Sequence, residues 1–243
     1  PVSKEEFLKY LPKGELQFGR EDFMDCATRS PNNALEAKLN KFVATYPFHA
    51  FTTWLISKGY VNPQNKVELS DRFTAILSGT TRQGNSLVAP LHTIHKTGII
   101  PKKLLPREEN MTWDEYHDKT KITQVMLELG LESLSWIDIT YWKTDLKARD
   151  DIACTAGHAW PQPIEGVYLK TEEQFNHAFI TEPQYVVFDN YEESPDDFIK
   201  ELAPDYLLLP GYRLVLQLKK NENAEIKQEY ENGNHYTVLL KKV

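Results

Sequence analysis

Cysteine is scarce in this chain: only Cys26 and Cys154 occur in 243 residues. That count excludes a disulfide-dense scaffold, and without any CxxC or HxxxH pair the usual spacing of a zinc site is missing too. A single Cys26–Cys154 bridge stays open. No run of about 18 apolar residues occurs, so no membrane-spanning helix is expected. Basic charge is in deficit, with 28 Lys and Arg against 35 Asp and Glu and a formal net charge of −7. The lysine pairs at 102–103, 219–220 and 241–242 are short and scattered. Nucleic-acid binding needs a basic stripe that neutralises phosphates, so neither a nucleic-acid nor a membrane partner is expected. Gly/Ser-rich spacers, low-complexity tracts and repeats are also lacking, which predicts one domain over residues 1–243.

What is present is the composition of a folded protein, 41% hydrophobic and 12% aromatic. In the first half apolar residues recur at helical spacing. Leu35, Leu39, Phe42 and Val43 predict a helix over about 31–46, with Ser30 as N-cap and Pro31 at its first position. Further helices are predicted over 48–58, from Ser70 to Gly79, and over 87–96. Another opens at Thr112 and breaks at Gly130. The second half changes period: residues 151–155, 164–169, 175–180, 185–189, 212–219 and 236–241 read as short strands. The expected class is α+β, with a helical lobe over 1–145, a β-rich lobe over 146–243 and a cleft between them.

A lone Cys26 closing the stretch QFGREDFMDC is a candidate thiolate nucleophile, which requires a base and an orienting group. The segment FNHAFITEPQYVVFDNY, residues 175–191, reads as a hairpin. A five-residue loop, Thr181–Tyr185, sets Ile180 opposite Val186 and His177 opposite Asp189, with Cβ atoms about 5 Å apart. A four-residue loop would set Phe188 opposite His177 instead. In the first register a carboxylate orients an imidazole, and that imidazole can convert a thiol to thiolate. Asp25, next to the thiol, opposes the thiolate if its carboxylate faces the site. The Gly79–Ser86 loop has the outline of a phosphate loop but carries Asn85 where lysine belongs, and a predicted helix precedes it. Its glycines, with Gly84 beside Asn85, fit a loop that lines a substrate cleft. Trp160, flanked by Pro161 and Pro163, is a second candidate for lining the cleft or for core packing. Cys154 with His158 forms a weaker dyad lacking a carboxylate, and His92 with His95 lacks a third metal ligand. No metal and no cofactor is expected.

The order of Gln17, Cys26, a helix, then FNHA and a strand ending FDNY resembles the papain-like cysteine peptidase superfamily. It is most similar to an uncharacterised branch in bacteria and phages, through Cys26, Thr28, Ser30, Asn33 and Glu36, then Ser70–Phe73 and Ser78–Leu87. The resemblance spans about residues 14–215. It implies Cys26 as nucleophile, His177 as general base and acid, Asp189 as orienter in a place where many relatives carry Asn, and Gln17 with the Cys26 N–H as oxyanion hole. The β-rich lobe would be antiparallel and barrel-like. The implied substrate is a polypeptide or a peptidoglycan peptide, acted on in a bacterial or infected cytoplasm or at a virion. The alternatives are an idle papain-like binding module of a phage particle and a peptidoglycan-stem amidase.

Overall fold

The computed structural model of this chain describes residues 2–17, 20–146, 151–157, 163–169, 175–191, 198–206, 208–219, 224–231 and 234–241, the last two ranges as backbone. Its helices are α1 Lys4–Tyr10, α2 Cys26–Thr45, α3 Ala50–Lys58, α4 Asp71–Ser78, α5 Val88–Thr97, α6 Trp113–Tyr116 and α7 Gln124–Trp136. The strands β1 Ile137–Thr144, β2 Ala153–Gly157, β3 Val167–Tyr168, β4 His177–Thr181, β5 Val186–Phe188, β6 Ile199–Leu202, β7 Gly211–Leu218, β8 Ala224–Glu231 and β9 Asn234–Lys241 follow. Helices precede strands, so the class is α+β.

Local chemistry fixes several boundaries as expected. The Ser70 hydroxyl accepts the Phe73 N–H at 3.1 Å at the start of α4, and Gly59 and Gly79 end α3 and α4 in the left-handed conformation. Three readings differ: the helix expected from Thr112 to Gly130 is two, α6 and α7, parted by residues 117–123, and two boundaries move. Helix α2 begins at Cys26, not at Pro31, so Asp25 is its N-cap residue and Pro31 lies inside it. Proline there cannot donate to the carbonyl four residues back. Ser30, expected as the cap, instead donates to the Phe179 carbonyl at 2.7 Å, tying α2 to β4. Helix α7 passes through Gly130 instead of breaking there. A Cβ at Gly130 would stand 2.3 Å from the Thr97 carbonyl oxygen, so this glycine permits close approach of α7 to the end of α5.

Seven strands form one sheet in the order β1-β7-β2-β4-β5-β6-β3, and among the described residues β8 pairs with β9 alone. Every pairing is antiparallel except β3 with β6, which is parallel. The sheet is mixed and open, with β1 and β3 at opposite edges, so the purely antiparallel, barrel-like lobe implied by the resemblance is not what this chain forms. Strand β1 follows α7 directly within residues assigned to the helical lobe, and β6 also lies outside the predicted runs. One buried apolar cluster joins Leu35 and Leu39 of α2, Phe73 of α4 and Ile94 of α5 to Ile139 of β1, Ile180 of β4 and Phe188 of β5. Helix α2 packs along β4 within this cluster, and each of its residues from Ala27 to Ala37 is buried. The end of α2 that carries Cys26 is thereby set against the start of β4, which carries His177.

Candidate active site

Cys26 is the first residue of the 20-residue helix α2 and is half-buried. Its N–H lies in the first turn, where the helix supplies no carbonyl to accept it, and the positive end of the helix dipole favours an anion there. Its thiol lies beside His177, near enough to act on that imidazole, and both line one cleft. The Nε2–H of His177 donates to Asp189 Oδ1 at 2.6 Å, so a proton exchanged with the thiol has to be exchanged at Nδ1. His177 and Asp189 are 4% and 2% exposed, so their contact is shielded from water. Burial alone would lower the His177 pKa. The Asp189 carboxylate, helped by Cys26, outweighs burial and raises it to about 10.

The hairpin register differs from both sequence readings. Ile180 pairs with Phe188 and Thr181 with Val187, two residues away from the pairing of Ile180 with Val186. The Glu182 carboxylate accounts for the shift, because it accepts the N–H groups of Gln184 at 2.7 Å and Val186 at 2.9 Å. Strand β4 then keeps Thr181, and Tyr185 takes a left-handed φ of 67°. A shift of two preserves side-chain parity, so Asp189 remains on the face of His177 but meets it diagonally.

The long interval before Cys26 is pinned at several points. Gln17 donates its N–H to the Asn190 carbonyl at 2.9 Å and its Nε2–H to Asp22 Oδ1 at 3.0 Å. The same Asp22 oxygen accepts the Met24 N–H at 2.7 Å, and Met24 has a left-handed φ of 55°. Phe23 is buried and stacks on Tyr116 at 4.2 Å between centroids. The Asp25 carboxylate is turned away from the sulfur: Oδ1 accepts Arg29 Nε at 2.8 Å and Oδ2 accepts the Tyr116 hydroxyl at 2.6 Å. Arg29 also pairs with Asp71 at 3.2 Å. Burial would lower the Arg29 pKa, but Asp25 and Asp71 keep it well above the ordinary value.

A cleft of about 710 Å³ opens over this group, with Gln17, Cys26 and His177 in its lining and Asp189 behind the imidazole. Gly84 and Asn85 also line it. Gly84, at φ 90°, closes a tight turn with Thr81, and the Asn85 amide is tied to the end of α4 through Ser78 and Thr80. Gly79 is not part of the lining; it terminates α4. Trp160 and His158 lie outside the described residues.

Both cysteines are free, so no Cys26–Cys154 bridge forms. Cys154 is buried in β2, where burial pushes its thiol up to about 12. His95 Nδ1 contacts the Ile139 carbonyl at 2.7 Å, and among the described residues no group of three His, Cys, Asp or Glu is arranged to hold a metal ion. Also among the described residues, no helix is long and apolar enough to cross a membrane.

Three contributors escaped sequence reasoning. Asp22 steadies Gln17. Tyr191 packs its ring 4.8 Å from that of His177, and burial together with the charge of the Asp22 carboxylate raises its phenol pKa. Lys200 reaches Asp189 Oδ2 at 3.3 Å. None of the three had a usable signal; Lys200 lies on β6, outside every run expected to be a strand. No family model, curated protein or solved structure matches this chain.

Proposed function

We propose that this chain is a papain-like cysteine peptidase hydrolysing peptide or amide bonds. The observation that carries the reading is the grouping of Cys26, His177 and Asp189, the thiol beside the imidazole and the imidazole hydrogen-bonded to the carboxylate, at a cleft that Gln17 also lines. An imidazole held cationic by a buried carboxylate stabilises a thiolate beside it. Cys26 Sγ attacks the substrate carbonyl carbon, and the electron pair of the C=O bond moves to oxygen. The Cys26 N–H and the Gln17 amide are the donors available to that oxyanion. As the carbonyl re-forms, the C–N bond breaks and the leaving amine takes the proton from His177. His177 then accepts a proton from water, whose oxygen attacks the thioester; the C–S bond breaks, freeing the acid and restoring the Cys26 thiolate beside the His177 imidazolium.

The test is the mass of a covalent adduct formed by a peptidyl epoxide. We expect one adduct on Cys26, formed rapidly in the wild type and at least a hundredfold more slowly in His177→Ala. Slow labelling unaffected by that substitution overturns the reading and leaves an idle binding module. With labelling established, casein cleavage compared with loss of cell-wall turbidity separates a general peptidase from a peptidoglycan-stem hydrolase.

A further inference from the structure

Strand β6 carries a lysine at an inward position. Lys200 pairs with Val187 in the β5–β6 ladder, and its side chain turns toward Asp189, two residues beyond Val187. Its Nζ stands 3.3 Å from Asp189 Oδ2, and the two residues are 3% and 2% exposed. An ammonium taken this far from water is costly unless an anion and good geometry compensate it. Asp189 therefore carries one positive partner on each oxygen, the imidazole on Oδ1 and the ammonium on Oδ2. Lys200 is not part of the cleft lining, so it acts on bound substrate only through other side chains.

We propose that Lys200 is a positioning residue whose fixed charge keeps Asp189 compensated when His177 gives up its proton. This inference rests on the peptidase reading above. In the catalytic cycle His177 alternates between imidazolium and imidazole. If the imidazolium were the sole counter-charge of Asp189, each proton transfer to the leaving amine would strand a buried carboxylate, and the imidazole would hold its proton more tightly. The ammonium on Oδ2 remains through both states and eases the release.

The titratable and charged groups facing this set among the described residues come from several elements. Cys26 faces His177 from α2, and Tyr191 faces it from beyond β5. The Tyr191 N–H also donates to Asp189 Oδ1 at 3.1 Å. Asp22 acts on the Tyr191 hydroxyl from the Gln17–Cys26 loop. Of these groups Lys200 alone holds a positive charge independently of His177.

The experiment compares wild type with Lys200→Met, Lys200→Gln and Lys200→Arg, following the His177 titration by NMR and the hydrolysis of a peptidyl anilide. In Lys200→Met the His177 midpoint should move up by about one pH unit, and kcat should fall about tenfold with KM unchanged. Lys200→Arg should restore both. Lys200→Gln keeps a donor but drops the charge, and carries the same expectation if the Met variant does not fold. An unchanged midpoint in a folded Met or Gln variant overturns the role of Lys200 while rapid, His177-dependent labelling of Cys26 leaves the peptidase reading standing. Slow, His177-independent labelling of the wild type overturns both.

Discussion

Gln17 is held by its main chain and its side chain at once, by Asn190 and Asp22. One Nε2 hydrogen is used by Asp22, the amide has a second donor, and the residue lines the cleft. The proposed mechanism asks this donor to act only as charge develops on the substrate oxygen, and to leave the thiol untouched. Gln17→Ala should therefore lower kcat about a hundredfold, since one oxyanion donor is worth about 3 kcal/mol. Its rate of Cys26 alkylation by iodoacetamide should stay at the wild-type value. Equal losses in both measurements would show that Gln17 supports the Cys26 loop and not the oxyanion. The sequence reads well at this scale where one residue has one demand. Asp25 does not: beside a nucleophile it reads as a liability, yet its carboxylate is spent on Arg29 and Tyr116, partners 4 and 91 positions away. Only the second of these lies beyond the reach of local spacing.

At the scale of elements, the helices whose ends carry their own caps were legible, as Ser70 and Gly79 are for α4. The start of helix α2 is not legible in the sequence because its buried sides are polar. Ser30, Asn33 and Glu36 reach Phe179, Asn190 and Leu69 on other elements, so these residues of the family-like pattern are ties within the fold and not an apolar stripe. The hairpin was legible in parity and not in register, since Glu182 and its two N–H contacts choose the turn. Gly130 offers a direct check. An exposed helical Gly→Ala change gains about 1 kcal/mol from propensity. Here the added Cβ meets the backbone oxygen of Thr97, so Gly130→Ala should instead destabilise by about 1–3 kcal/mol and lower Tm by several degrees. A raised Tm would mean that α7 and α5 do not approach as described.

For the whole molecule, the proposed ion pair leaves a signature in stability against pH that needs no substrate. Asp189 carries the His177 pKa from the ordinary 6.5 to about 10 on folding, against the effect of burial. A raised folded pKa contributes stability that is fully present below the unfolded value and is lost as pH climbs through the folded one, at up to about 1.4 kcal/mol per pH unit while the folded state holds the extra proton. The thiolate that the proposed mechanism requires at Cys26 changes that account. The unfolded thiol keeps its proton up to about pH 8.5, so a folded thiolate is one proton short where His177 is one proton in excess. The two cancel, and wild-type stability should be nearly level from about pH 6.5 to 8.5. Cys26→Ala removes the deficit and part of the support for the imidazolium, while Asp189 still raises His177. Its stability should fall as pH rises through the same window, by as much as about 1.4 kcal/mol per unit. Other buried groups whose pKa is raised, Glu36 and Asp71 among them, act in both proteins and drop out of the difference. Urea midpoints at half-unit steps of pH measure it. Parallel slopes would mean that Cys26 keeps its proton in the folded protein, and a thiolate mechanism would then have no resting nucleophile.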